Sequence, residues 1–222
     1  MKKIIISLSI IAVVAVISIG ITTAYFTDTE TSEDNTMAAG TMDLNIDGGN
    51  TAVQTMKVDL FDQAPGDSGI ETAILKNVGS LSGLLDIKVE TVTNYPCTNG
   101  NYGANDGTEN CTSDAGTLGA NAKMALYIDV DKSGTWNTGD IGLKPGDSPY
   151  PYDSNPLVYY IIDSYSNVPW NNVYAGLMGV DDEDDFVIDW EIPIGAGNEI
   201  QGDAVNFDVT FTLRQETAPN SN

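Results

Sequence analysis

The chain has 222 residues, with 32 acidic side chains against 9 lysines and arginines, no histidine, and a formal net charge of −23. That balance repels phosphate backbones, which excludes nucleic acid as a partner, and it favours solubility and the attraction of cations. Without histidine the usual catalytic zinc ligand sets and the Ser/His/Asp or Cys/His arrangements cannot be assembled, so no enzyme is expected.

Lys2 and Lys3 precede an uncharged run from Ile4 to Ala24 that closes on Thr22-Thr23-Ala24. A basic start, an apolar stretch and a small residue at its end are the order of a secretory signal. The same run is long enough to span a bilayer, so a surface protein that keeps residues 4–24 as its anchor is the competing reading. Gly20, Thr22 and Thr23 are poor membrane filler and favour cleavage. Residues 1–24 are therefore expected to be a signal peptide, removed between Ala24 and Tyr25 to give a secreted, extracellular protein. A polar, Thr-rich ribbon over residues 25–40 follows as linker.

From Thr41 onward the rhythm has period two, the pattern of half-buried antiparallel strands. Met42, Leu44 and Ile46 alternate with Thr41, Asp43 and Asn45. Thr55–Leu60, Thr72–Lys76 and Leu84–Thr93 are further strand candidates. Pro65-Gly66-Asp67-Ser68, and its twin Pro145-Gly146-Asp147-Ser148, fit type II turns. Cys97 and Cys111 are the only cysteines. Beyond the membrane such a pair reads as a disulfide closing a Gly- and Asn-rich loop, whereas a two-cysteine metal site lacks further ligands. Asn110-Cys111-Thr112 matches the N-glycosylation pattern.

Met124, Leu126, Ile128 and Val130 form the next apolar row, which leaves Ala125, Tyr127 and Asp129 for the wet face. "DVDKSGTWNTGD", Asp129 to Asp140, follows the twelve-residue calcium-loop pattern. Asp129, Asp131 and Ser133 offer side-chain oxygens, Gly134 takes the sharp turn, and Thr135 offers its carbonyl. Asn137 sits where water often bridges, and Asp140 closes the loop where Glu is the rule. Structural calcium is the reading, with a polar hairpin turn as the alternative. The segment from Ser148 to Val180, broken by Pro149, Pro151, Pro156 and Pro169, has room for a short helix near Val173–Met178. The run Asp181 to Asp185 reads as a solvated loop, with a second cation site as the alternative. Trp136, Trp170 and Trp190, together with the tyrosines, read as core or interface. Phe186, Ile188, Trp190 and Ile192, then Val205, Phe207, Val209, Phe211 and Leu213, mark two closing strands. The whole describes an all-β, antiparallel β-sandwich over residues 41–214 with short helical or loop insertions and a flexible tail, 215–222.

"AYFTD" after the apolar run, "AAGTMDLNI" downstream, "APGDSGIETAILKNVGSLSGLLDIKV" and "NEIQGDAVNFDVTFTLRQ" resemble the TasA and camelysin family of secreted fibre-forming proteins, which includes the archaeal bundling pilins. The likeness carries the family's Asn-x-Gly-Ser-Leu step (Asn77, Gly79, Ser80, Leu81) and its Gln201-Gly202 strand entry. It implies a jelly-roll sandwich, export through a dedicated signal peptidase and head-to-tail homopolymerisation by donor-strand exchange. Tyr25, Phe26, Thr27, Asp28, Thr29, Glu30 and Thr31 are the donor this implies, since Thr and aromatics favour extended backbone that an open sheet edge can pair. One branch has been described as a metallopeptidase; with neither HExxH nor histidine, that role is not carried over. The expected function is a structural subunit of an extracellular fibre or pilus of the biofilm-matrix type. The alternatives are a monomeric calcium-stabilised surface module and the membrane-anchored form.

Overall fold

The computed structural model describes residues 40–46, 53–97, 116–197 and 200–216. The expected signal segment, the expected cleavage point at Ala24 and Tyr25, the expected donor residues, Asn110, Cys111 and most of the tail lie outside these. No helix among the described residues is long and apolar enough to cross a membrane.

The described chain is a β-sandwich, as the alternation predicts. One sheet has seven strands and the other five. The seven-stranded sheet runs in the order β1 (Leu44–Ile46), β3 (Ser68–Asn77), β11 (Glu183–Glu191), β6 (Lys123–Asp129), β7 (Ile141–Leu143) and β8 (Tyr150–Pro151). Off that path, β9 (Tyr160–Ile161) also pairs with β6. The five-stranded sheet runs β10 (Pro169–Trp170), β4 (Leu84–Val89), β12 (Ala204–Arg214) and β2 (Val53–Phe61), with β5 (Thr93–Tyr95) also on β12. Successive strands change sheets at β1, β2, β3 and β4, the jelly-roll habit, and every pairing is antiparallel.

The core lies between the sheets. Phe186 of β11 meets Phe211 of β12 edge to face at 5.0 Å, with Leu75, Leu85, Ile87, Leu126 and Val209 buried around them. On β12 the expected alternation is complete: Val205, Phe207, Val209, Phe211 and Leu213 are buried, while Asn206, Asp208, Thr210 and Thr212 reach solvent.

Elsewhere the alternation misleads. Ala125, Tyr127 and Asp129 of β6, expected on the wet face, are buried along with the core row, and Val130 is exposed. The cause is a second layer: Trp136, in the loop after β6, packs on Tyr127, and Tyr150 and Tyr152 from the chain after β7 pack on Trp136 in turn. The expected strand Leu84–Thr93 is two strands. Val89 pairs with Val209 and Thr93 with Asn206, so four steps on one strand meet three on the other. That mismatch is a bulge, which lets the strand bend.

No helix forms at Val173–Met178. Val173 N–H donates to the Leu85 carbonyl, and Gly83 and Met178 exchange backbone hydrogen bonds, so the segment is pinned to the edge of the five-stranded sheet at both ends. It turns between them, with Ala175 N–H on the Asn172 carbonyl and positive φ at Asn172 and Ala175. The short helices sit elsewhere, at α1 (Leu118–Asn121) and a 3₁₀ turn, Ile162–Tyr165. The acidic run is a solvated loop only at Asp181 and Asp182, which are exposed in the turn before β11. Glu183, Asp184 and Asp185 belong to β11, Asp184 is buried, and Glu183 pairs with both Lys76 and Lys132. Both Pro-Gly turns close as type II turns require, with Asp67 N–H donating to Ala64 and Asp147 N–H to Lys144, and with Gly66 and Gly146 at positive φ.

Two polar groups fix the frame. Asn77, fully buried, donates its amide to the carbonyls of Leu81, Met178 and Gly179 and accepts from Gly79 N–H. A Cβ on Gly79 would lie 2.5 Å from the Thr41 carbonyl, which explains the Asn-x-Gly spacing. Asp203, also fully buried, accepts from Cys97 N–H through Oδ1 and from Thr117 N–H through Oδ2. No described cysteine is free.

Candidate metal centre

The loop from Asp129 to Asp140 joins β6 to β7, an antiparallel pair, so two hydrogen-bonded strands hold its ends together. Its shape is set by backbone that only certain residues tolerate. Gly134 and Gly139 have φ of 73° and 112°, and Lys132 has 55°. The strand ends place Asp129 and Asp140 inside, both buried, while Asp131 stands exposed between them. One carboxylate oxygen from each lies within 4.8 Å of the others.

Each carboxylate also braces the loop. Asp129 accepts from Ser133 N–H at 3.1 Å and Gly134 N–H at 2.7 Å. Asp140 accepts from Val130 N–H at 3.1 Å and Asn137 N–H at 2.7 Å. Three of the residues that the loop pattern assigns to a cation, Asp131, Ser133 and Thr135, converge on one donor. The Asn137 amide donates to Asp131, to Ser133 Oγ at 2.6 Å and to the Thr135 carbonyl at 3.2 Å. Ser133 and Thr135 are exposed, so their oxygens are reached from solvent.

Electrostatics divides the three acids. Burial pushes the Asp140 carboxyl above its ordinary range, backbone donors pull it back, and Asp129 and Asp131 add repulsion. Hydrogen bonds from Ser133 and Asn137 hold Asp131 below its ordinary range. Behind them, burial first and the charges of Asp129, Asp189 and Asp140 next push the Tyr127 hydroxyl up to about 12. A cation among these oxygens would relieve the repulsion. The donor set is all oxygen, the chemistry of a hard cation, and the group can hold a metal ion.

Reading by residue type alone did not single out the part that anchors this loop. Trp136 donates from Nε1 to the Asn155 carbonyl at 3.0 Å, and its ring meets Tyr127, Tyr150 and Tyr152 edge-on at 5.6, 5.8 and 5.4 Å. It thereby ties the loop to the layer over the seven-stranded sheet. The available signal was one large aromatic inside an otherwise polar loop. Trp170 and Trp190 are core residues, as expected.

Residues 1–113 match the model of a family described as camelysin metallo-endopeptidase. No curated protein matches the chain. The family's description overturns the expectation that this is no enzyme. That expectation rested on the missing histidine, and histidine is not a requirement for binding every metal.

Proposed function

The chain belongs to the camelysin family, and from that premise we propose that it is a secreted structural subunit of an extracellular fibre. In this reading the mature N-terminus, beginning at Tyr25, completes a sheet of the next subunit. The observation that carries it is an open flank. β2 is a nine-residue strand at the rim of its sheet, and its Thr55–Phe61 stretch has no strand partner on the outer side among the described residues. On the other sheet β1 pairs only with Leu75–Asn77, and among the described residues no strand pairs with Ser68–Ile74 of β3 on that side. Val53, Phe61, Ile70 and Ile74 are exposed along these two strands. An unpaired strand row is a template for another chain, and a Thr-rich segment tipped by Tyr25 and Phe26 suits it. While Ala24 remains joined to the apolar run the donor is tethered, so cleavage would license assembly.

The test is the secreted protein without Tyr25–Thr31, viewed by electron microscopy. It should fold and stay monomeric, and fibres of normal length would sink the reading. Intact mass of the native protein should show a start at Tyr25. The pair Cys97 and Cys111 is assigned to one intrachain disulfide, which disulfide-linked dimers on non-reducing gels would contradict.

Calcium is the cation proposed for Asp129, Asp131, Ser133, Thr135 and Asp140, since an extracellular setting fills even weak oxygen sites. Chelation should lower the melting temperature by ligand linkage, and Asp129→Ala with Asp131→Ala should abolish that response. Identical melting curves with calcium and with chelator would reduce the loop to a turn.

The family's description favours a second reading, metal-dependent peptidase activity. With no histidine in the chain, its metal would rest on carboxylates such as this cluster. Incubation with an unfolded protein substrate, with and without chelator, tests it. Chelator-sensitive cleavage that the double Asp variant loses would establish it.

A further inference from the structure

The chain has three tryptophans, and their indole N–H groups are served differently. Trp136 Nε1 donates to the Asn155 carbonyl at 3.0 Å, and Trp170 Nε1 to the Lys144 carbonyl at 2.9 Å. Trp190 is only 7% exposed, and its Nε1 is buried without a partner. An unpaired buried donor is costly, and folded proteins keep few of them.

Where that donor sits gives it a use. Trp190 of β11 stands opposite Gly69 of β3. A Cβ on Gly69 would lie within 2.9 Å of three indole atoms, Nε1 among them, so glycine is what lets the ring lie against β3. Gly69 belongs to the stretch Ser68–Ile74 that no described strand pairs on its outer side. The orphan N–H thus lies at the open flank of the seven-stranded sheet. Glu71 shares the core-side row of Gly69, Ala73 and Leu75 and yet is exposed, so that row is uncovered at this flank. On the other face Ile70 and Ile74 are exposed. The expected donor alternates to suit both faces. Tyr25, Thr27, Thr29 and Thr31 form a neutral row of hydroxyls, and Phe26, Asp28 and Glu30 form the other. A hydroxyl oxygen accepts from an indole N–H, and only the uncharged row is cheap to bury.

We propose that the donor of one copy pairs with Ser68–Ile74 of β3 in the next, its threonine row turned inward, and that one threonine hydroxyl accepts from Trp190 Nε1. The inference rests on the fibre reading and adds to it which edge receives the donor and which face of the donor turns in. Phe26 then lies on the face that carries Ile70 and Ile74, while Asp28 and Glu30 stay in water. The rim at β2 has no buried side-chain donor without a partner among the described residues, so it gains no such bond. Trp190 is in this way a specificity residue, because a strand with no oxygen at that place would seal its N–H in unpaired.

The experiment uses the secreted protein. Glu71→Cys on β3 is combined in turn with Tyr25→Cys, Thr27→Cys, Thr29→Cys, Thr31→Cys or Glu33→Cys, and Met56→Cys, in the core-side row of β2, with the same five. All are assembled, mildly oxidised and run on non-reducing gels. A Glu71 combination should give a ladder of covalent multimers, and no Met56 combination should. A ladder from Met56, or fibres with no ladder from Glu71, would overturn the edge and leave the fibre reading standing. Changing Thr27, Thr29 and Thr31 together to valine keeps shape and removes the hydroxyls. It should raise the concentration needed for assembly about tenfold, the scale of one lost hydrogen bond, and should have no such effect in a Trp190→Phe background. An equal effect in both backgrounds, or none in either, would overturn the bond to Trp190. Failure of the wild type to form fibres would overturn the fibre reading first and this contact with it.

Discussion

The two sheets start from the same sequence rhythm and end in different environments. β12 keeps one face dry and one wet, and its outward Asn206, Asp208, Thr210 and Thr212 meet solvent. β6 has the same alternation and is buried on both faces. Nothing within β6 announces this. The cover comes from residues after it, chiefly Trp136, whose ring meets Tyr127, and Tyr150 and Tyr152, which pack on Trp136. Alternation reports which residues face the shared core, and a strand's second face belongs to whatever the rest of the chain lays on it.

The comparison can be broken hardest at the core both sheets share. Phe186→Ala removes a ring packed edge to face on Phe211 and should cost about 3–5 kcal/mol in denaturant unfolding. Loss of that size would show the sheets to be one cooperative unit.

Trp136→Ala attacks the cover alone. Three aromatic pairs and one hydrogen bond go with it, and a loss of about 2 kcal/mol is expected from a half-exposed site. The same variant should weaken the melting response to calcium. An unchanged response would separate the loop from the layer that holds it.

Asp184→Asn has the opposite sign. Burial comes first among the causes that raise the Asp184 carboxyl, with Tyr174 opposing and Asp182 adding repulsion. An acid raised in the folded state binds its proton more readily there than in the unfolded chain. Its penalty is therefore absent at low pH and grows as pH rises from the unfolded value through the folded one. The variant should melt a few degrees higher than wild type at neutral pH, with the gap closing as pH falls into the carboxylate range. A gap independent of pH would point to packing instead.

Thr212→Ala, on the wet face of β12, should change stability by less than about 0.5 kcal/mol. A larger loss would mean that the five-stranded sheet has a cover of its own.

Much of this was legible beforehand. The Phe186–Ile192 and Val205–Leu213 rows each gave a strand with the right residues inside, and the Asp129–Asp140 spacing brought three carboxylates together. What escaped depended on distant partners. Val173–Met178 has a helix-compatible composition, yet its donors find Gly83 and Leu85 across the sheet edge. Asp184 looks like solvated charge in a run of five acids, and only the Tyr174 hydroxyl shows why it can be buried. The clamp at Trp136 needs Asn155, nineteen positions away, and no local pattern contains both.

The Asp203 carboxylate has a practical consequence. Cys97 and Thr117 are both fastened to it, so the chain on either side of residues 98–115 is held at two posts on one anchor. A foreign peptide spliced between those posts would begin and end on fixed ground, without strands of either sheet having to shift. In a polymer of the proposed kind, that makes the position a display platform offering one guest epitope per subunit at regular intervals.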